Sequence, residues 1–87
     1  LEGYEKGLDA AVRVMSKEFA KRKIRVNSIR PAFVDTPMLN GSSEEKTHNQ
    51  PLGIINPVNV AYLIEFLLSD KSAYISGSNI EMSSAVV

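Results

Sequence analysis

The chain has 87 residues, with ten Lys or Arg balanced by ten Asp or Glu and no cysteine. An apolar content of 44% and this charge balance exclude a disordered acidic tail, a disulfide scaffold and a cysteine-based metal site. No window reaches the ~18 unbroken apolar residues of a membrane span. The first residues lack the basic-then-apolar pattern of a signal peptide. We therefore expect a cytoplasmic protein without a membrane partner.

The first twenty or so residues predict one long amphipathic helix. Its large apolar residues advance by four, four, three and four positions and therefore share one face. These residues are Tyr4, Leu8, Val12, Met15 and Phe19. Alanines within the segment favour a helix, and basic residues near its end complement the helix dipole. We expect the stripe from Leu8 to Phe19 to pack into the core.

Residues 24–30 then predict a short strand with at least one buried face, stopped by Pro31. The following polar stretch, residues 31–56, is long for a connection in a compact domain, and such loops are usually lids or mobile segments. Within it, Ser42 and Glu45 have the spacing of a capping box, which is compatible with a short helix through His48.

Asn56 and Pro57 predict the start of a second helix, with Asn as the N-cap and Pro at the first helical position. This helix is apolar over most of its circumference and ends near Ser69. A turn at residues 74–77 and a final strand from Asn79 to Met82 follow. A strand, a helix and a strand in this order predict a right-handed parallel α/β unit. Because parallel sheets are covered on both faces, we expect a fold that is incomplete as a single chain.

The segment from Ile24 to Met38, IRVNSIRPAFVDTPM, resembles the short-chain dehydrogenase/reductase family, in which an IRVN strand often runs into PGxVxTxM. Downstream pieces of the sequence, PLG, NP, FLLSD and YISG, follow in the family's order. The resemblance spans nearly the whole chain and matches the last third of a family member. It implies that residues 1–87 are the C-terminal segment of one Rossmann-type domain, with a lid or substrate loop at about 37–56.

The same resemblance implies an NAD(P)-dependent oxidoreductase that interconverts an alcohol and a ketone by hydride transfer. It places Val34 and Thr36 against the nicotinamide carboxamide and a nearby phosphate of the cofactor, and Met38 in the substrate pocket. The glycine-rich phosphate turn of the family has no counterpart in this sequence. The choice between NAD and NADP, and the identity of the alcohol or carbonyl substrate, therefore stay open.

The first helix departs from the family, which carries a Tyr-x-x-x-Lys pair there as general acid/base and ribose ligand. Counting back from Asn27 places Leu1 at the Tyr position and Glu5 at the Lys position, and an offset of one residue places Glu2 and Lys6 there. Since neither register supplies both groups, we assign no catalytic residue, and we expect the chain alone to be inactive. The alternative is a non-catalytic scaffold or oligomerisation module derived from the same fold.

Two further departures are Ala32, where the family usually has Gly, and Ser83-Ser84-Ala85 in place of Asp-Gly-Gly. The basic run at residues 21–23 is interpreted as a solvated helix end, so we expect no nucleic-acid partner. A single histidine, His48, excludes a histidine-based metal cluster within the chain. We expect a homo-oligomer, because the unfinished architecture would leave apolar surface exposed.

Overall fold

The structure, a computed structural model, describes residues 2–36 and 50–86. The elements are α1 (Glu2–Ala20), β1 (Ser28–Pro31), α2 (Pro57–Leu68), a single 3-10 turn (Asp70–Ser72) and β2 (Asn79–Met82). The two strands pair in parallel, with Ser28 opposite Asn79 and Pro31 opposite Met82. This confirms the predicted α/β class, the parallel pair and both ends of β2. The short helix predicted from Ser42 to His48 lies outside the described residues.

The face through which α1 packs differs from the predicted apolar stripe. Val12 is 4% exposed and Ser16 is 9% exposed, whereas Leu8 and Met15 are 38% and 41% exposed. The prediction that Leu8 and Met15 belong to the core is therefore wrong for the described part of the chain. Val12 is the one apolar core residue that the prediction located correctly.

Polar contacts account for this rotation of α1. The hydroxyl groups of Ser16 and Ser76 lie 2.6 Å apart, which ties the helix to the turn before β2. About two turns earlier in α1, the Asp9 carboxylate faces the Arg30 guanidinium of β1 at 3.4 Å. Buried polar groups need such partners, so the helix presents Asp9, Val12 and Ser16 to the sheet rather than its most apolar line.

The strand β1 begins later than predicted, at Ser28 instead of Ile24. The two residues before it are still held against the segment that leads into β2. The Val26 carbonyl accepts a hydrogen bond from the Gly77 N–H at 2.7 Å, and the Asn27 side-chain oxygen accepts one from the Ser78 N–H at 3.0 Å. Because Asn27 makes this contact through its side chain, a regular backbone ladder starts only after it.

Pro31 is the last residue of β1, and its missing N–H leaves the ladder intact. Ser28 and Ala32 both donate their N–H groups to carbonyls on the β2 side, at 2.9 Å each. Alternate N–H groups along a strand point to the same neighbour, so the Pro31 nitrogen faces away from β2. A proline is tolerated at such a position.

The start and end of α2 agree with the sequence prediction. The Asn56 side chain accepts a hydrogen bond from the Val58 N–H at 3.0 Å, as an N-cap does. Near the other end, the Arg25 guanidinium donates to the Ser72 carbonyl at 3.0 Å and to the Ser69 carbonyl at 3.4 Å. Arg25 thus holds Ser69, the C-cap of α2, and the 3-10 turn that follows it.

The apolar surface of α2 is largely uncovered within residues 2–36 and 50–86. No α2 residue is buried, and Val58, Ile64 and Phe66 are each at least 40% exposed. This agrees with the expectation of an architecture that is incomplete as a single chain. Neither described helix is long and apolar enough to cross a bilayer.

Candidate functional site

The loop that leaves β1 is held in an extended conformation by the segment that leads into α2. Val34 and Ile55 form an isolated parallel bridge. The Asp35 N–H donates to the Ile55 carbonyl at 2.8 Å, and the Ile55 N–H donates to the Phe33 carbonyl at 2.9 Å. The bridge lies beyond the carboxyl end of β1, which is the edge where open α/β sheets bind ligands.

The bridge leaves the backbone of Val34 available. Its hydrogen bonds use the carbonyl before Val34 and the N–H after it, so the N–H and C=O of Val34 itself point away from Ile55. Neither group is hydrogen-bonded to any residue among 2–36 and 50–86. A primary carboxamide carries one NH₂ donor and one C=O acceptor, so an extended residue with both groups available fits it. Thr36, two residues on, is half-buried.

The buried side chain of Gln50 holds this loop through hydrogen bonds to its backbone. The sequence analysis did not identify this residue. The residue is 5% exposed. Its side-chain oxygen accepts from the Phe33 N–H at 2.6 Å, while its side-chain nitrogen donates to the Phe33 carbonyl at 3.3 Å and to the Gly53 carbonyl at 2.9 Å. The only signal in the sequence was its place directly before the PLG turn, and an isolated polar residue in a loop predicts no contact.

The segment after β2 reaches the same turn. The Ser84 hydroxyl donates to the Gly53 carbonyl at 2.5 Å, and the Leu52 N–H donates to the Ser84 carbonyl at 3.1 Å. Ser84 and Ala85 have φ values of 54° and 67°, a left-handed conformation that costs a non-glycine residue about 1–2 kcal/mol. The departure from Asp-Gly-Gly noted in the sequence therefore places two strained residues beside the candidate site.

A cluster of charges joins the first turns of α1 to the two strands. The Arg30 guanidinium lies 3.5 Å from the Glu5 carboxylate, 3.4 Å from that of Asp9 and 3.5 Å from that of Glu81. Three carboxylates around one guanidinium give this cluster a net negative charge. The register that places Glu5 at the family's Lys position thus puts an acidic group where that family has a cation.

Of the positions that the two registers give to the family's Tyr and Lys, the structure describes the side chains of Glu5 and Lys6 only. Tyr4 is 73% exposed, and Leu1 and the Glu2 side chain lie outside the described residues. Met38, the predicted substrate-pocket residue, also lies outside them. Within the described ranges, no three metal-ligating side chains come together as a metal site would require.

The comparisons with known proteins agree with this arrangement of elements. A family model described as enoyl-(acyl carrier protein) reductase matches residues 4–84. The chain belongs to the short-chain dehydrogenase/reductase family. It is 36% identical over 86 residues to a 3-oxoacyl-[acyl-carrier-protein] reductase of Thermotoga maritima, covering 93% of this chain and 35% of that protein. It is 34% identical over 82 residues to a mouse (3R)-3-hydroxyacyl-CoA dehydrogenase, covering 88% of this chain and 32% of that protein.

Solved structures show the same fold. The apo structure of a short chain oxidoreductase from Pseudomonas aeruginosa, described as containing an atypical catalytic center, matches with a TM-score of 0.80 and 30% identity, over 94% of this chain and 38% of that one. A 3-oxoacyl-[acyl-carrier protein] reductase from Brucella melitensis matches with a TM-score of 0.81 and 24% identity, over 91% of this chain and 31% of that one. This chain therefore has the fold of part of a Rossmann-type domain and spans about a third of the length of the relatives it matches.

Proposed function

We propose that the chain is the C-terminal segment of an NAD(P)-dependent oxidoreductase that interconverts a small alcohol and a ketone by hydride transfer. The observation that carries the proposal is the Val34–Ile55 bridge, which leaves the N–H and C=O of Val34 available at the carboxyl end of β1. A bound nicotinamide would supply the hydride chemistry. The names of the relatives, a 3-oxoacyl reductase and a 3-hydroxyacyl dehydrogenase, support this reaction class.

In this proposal the chain orients the cofactor and does not supply the acid/base group. The Val34 backbone would hold the nicotinamide carboxamide, and the Thr36 hydroxyl would face a phosphate. Residues 37–56 would contribute a lid or substrate loop, with Met38 in the substrate pocket. Neither Val34 nor Thr36 can exchange a proton with an alcohol, so we expect no turnover by the chain alone.

A titration of the chain followed by ¹H–¹⁵N NMR tests the orienting role. Nicotinamide mononucleotide should shift the amide signal of Val34, while adenosine monophosphate should leave it unchanged. The second nucleotide is a matched control, because it carries the same ribose phosphate without the carboxamide ring. Equal shifts with both nucleotides, or none with either at millimolar concentration, would contradict the proposal.

One observation favours the alternative, a non-catalytic scaffold or oligomerisation module. Glu5, which one of the two registers places at the family's Lys position, is 3.5 Å from Arg30 and belongs to an acidic cluster. Exposed apolar side chains such as Leu8 and Tyr62 would suit an assembly role. The two functions can be distinguished by replacing the matching third of the Thermotoga maritima reductase with residues of this chain and measuring cofactor binding and activity.

Two exchanged enzymes are needed. In the first, residues 1–87 replace the matching part of the Thermotoga maritima reductase. In the second, only residues 24–87 do so, and the reductase keeps its own helix before β1. The enzyme proposal expects reductase activity in the second and its loss in the first, with cofactor binding in both. A scaffold role expects neither enzyme to bind the reduced cofactor, measured by fluorescence titration.

A further inference from the structure

We infer that Gln50 is a positioning residue that fixes the backbone of Phe33, directly before Val34, an inference that rests on the proposed function for its link to the cofactor. The side chain pairs with both backbone groups of Phe33, the residue directly before Val34. Gln50 would touch no substrate or cofactor itself. It would act by setting the direction in which the available groups of Val34 point.

The pairing of Gln50 with Phe33 resembles one rung of a β-ladder in which a side chain replaces a strand. A primary amide offers one acceptor and two donors. The acceptor is used by the Phe33 N–H, and the donors are used by the Phe33 and Gly53 carbonyls. At 5% exposure water can reach little of this amide, so the protein groups carry its hydrogen bonds.

Ile55 holds the other side of the same loop. It binds the Phe33 carbonyl and the Asp35 N–H through its own backbone, and this leaves the Phe33 N–H without a partner on that side. Gln50 supplies that missing acceptor. Phe33, the residue before Val34, is therefore fixed at its N–H by the Gln50 side chain and at its C=O by both partners, while the Asp35 N–H, after Val34, is fixed by Ile55 alone.

Only an amide can make all three contacts at this position. In Gln50→Glu a carboxylate oxygen would face the carbonyl oxygens of Phe33 and Gly53, and the two acceptors would repel each other. In Gln50→Met a side chain of similar length would leave the Phe33 N–H without the acceptor that Gln50 supplies, at the cost of that hydrogen bond. Both variants should release the loop while leaving the β1–β2 ladder in place.

The test compares amide hydrogen exchange in the unmodified chain, Gln50→Met, Gln50→Glu and Asn59→Asp. Asn59 is exposed in the first turn of α2, so its variant is a matched amide-to-carboxylate control. In both Gln50 variants, the Asp35 and Ile55 amides should exchange about tenfold faster, the factor for one lost hydrogen bond. The Ser28 and Ala32 amides, which belong to the β1–β2 ladder, should keep their rates.

A uniform acceleration of all four amides in both variants would overturn the inference, because it would show general destabilisation. Unchanged rates at Asp35 and Ile55 would overturn it as well. The nicotinamide-induced shift at Val34 should disappear in both Gln50 variants and persist in Asn59→Asp. Local acceleration in the variants, with no nicotinamide shift in the unmodified chain, would support Gln50 as the residue that fixes the loop and would refute the proposed function separately.

Discussion

Two regions near the carboxyl end of β1 differ in how they are built. The loop at Val34 is shaped by backbone hydrogen bonds to Ile55 and by the neutral amide of Gln50. The cluster at Arg30 is made of charged side chains from α1, β1 and β2. The first leaves the N–H and C=O of Val34 unused by its bridge to Ile55, and the second includes Glu5, which one of the two registers places at the family's Lys position. Backbone groups are unchanged when a side chain is substituted, whereas a contact made by one side chain is lost when that residue is replaced.

The largest expected effect concerns the register that places Leu1 and Glu5 at the family's Tyr and Lys positions. In the exchanged reductase that carries residues 1–87, the double variant Leu1→Tyr with Glu5→Lys should raise turnover by about 100-fold or more, the typical contribution of a general acid/base. The single variants should each recover much less, because the pair acts as a unit. Ketone reduction followed by cofactor absorbance measures this. A gain from Leu1→Tyr alone that equals the gain from the pair would contradict the role given to Glu5.

The second effect concerns the Arg30 cluster. In Arg30→Met the Asp9 carboxylate, whose side chain is 26% exposed, loses its cation, and we expect a loss of about 2 kcal/mol of unfolding free energy. Adding Asp9→Asn should recover part of this loss, because a neutral amide is cheaper to leave unpaired. Urea unfolding of the chain measures both, and equal stability of the double and the single variant would refute the charge explanation.

The third effect concerns the strained turn after β2. Ala85→Gly should raise the unfolding free energy by about 1 kcal/mol, because glycine adopts a positive φ without steric cost. The matched control is Ala10→Gly at an exposed position in α1, which should lower it by a similar amount of about 1 kcal/mol. The same substitution thus changes sign with backbone conformation. A loss of stability in both variants would show that Ala85 does not adopt the left-handed conformation.

The smallest effect separates the three carboxylates of the cluster. Glu81, with a side chain 58% exposed, contributes through a solvent-screened pair, so Glu81→Gln should change the unfolding free energy by no more than about 0.5 kcal/mol. The change should vanish at high salt. A loss as large as that of Arg30→Met would indicate that Glu81, and not Asp9, is the main partner of Arg30.

Elements with local signals agree best with the sequence. Asn56 and Pro57 start α2 as predicted, and β2 runs from Asn79 to Met82, because caps, prolines and turns act within a few residues. The buried face of α1 was predicted wrongly at Leu8 and Met15. The spacing of apolar residues indicates which of them share a face, but it carries no information about polar partners that are distant in the sequence.

What the sequence by itself determined was the order of the elements, their α/β class and membership in a family of oxidoreductases. Only the tertiary structure decided that Gln50 meets Phe33 across 17 positions and that Ser16 meets Ser76 across 60. It also decided that Arg30 meets carboxylates from two other elements. The physical reason is that a buried polar group is satisfied by whichever partner the fold brings within reach. Such a partner leaves no periodic trace in the sequence.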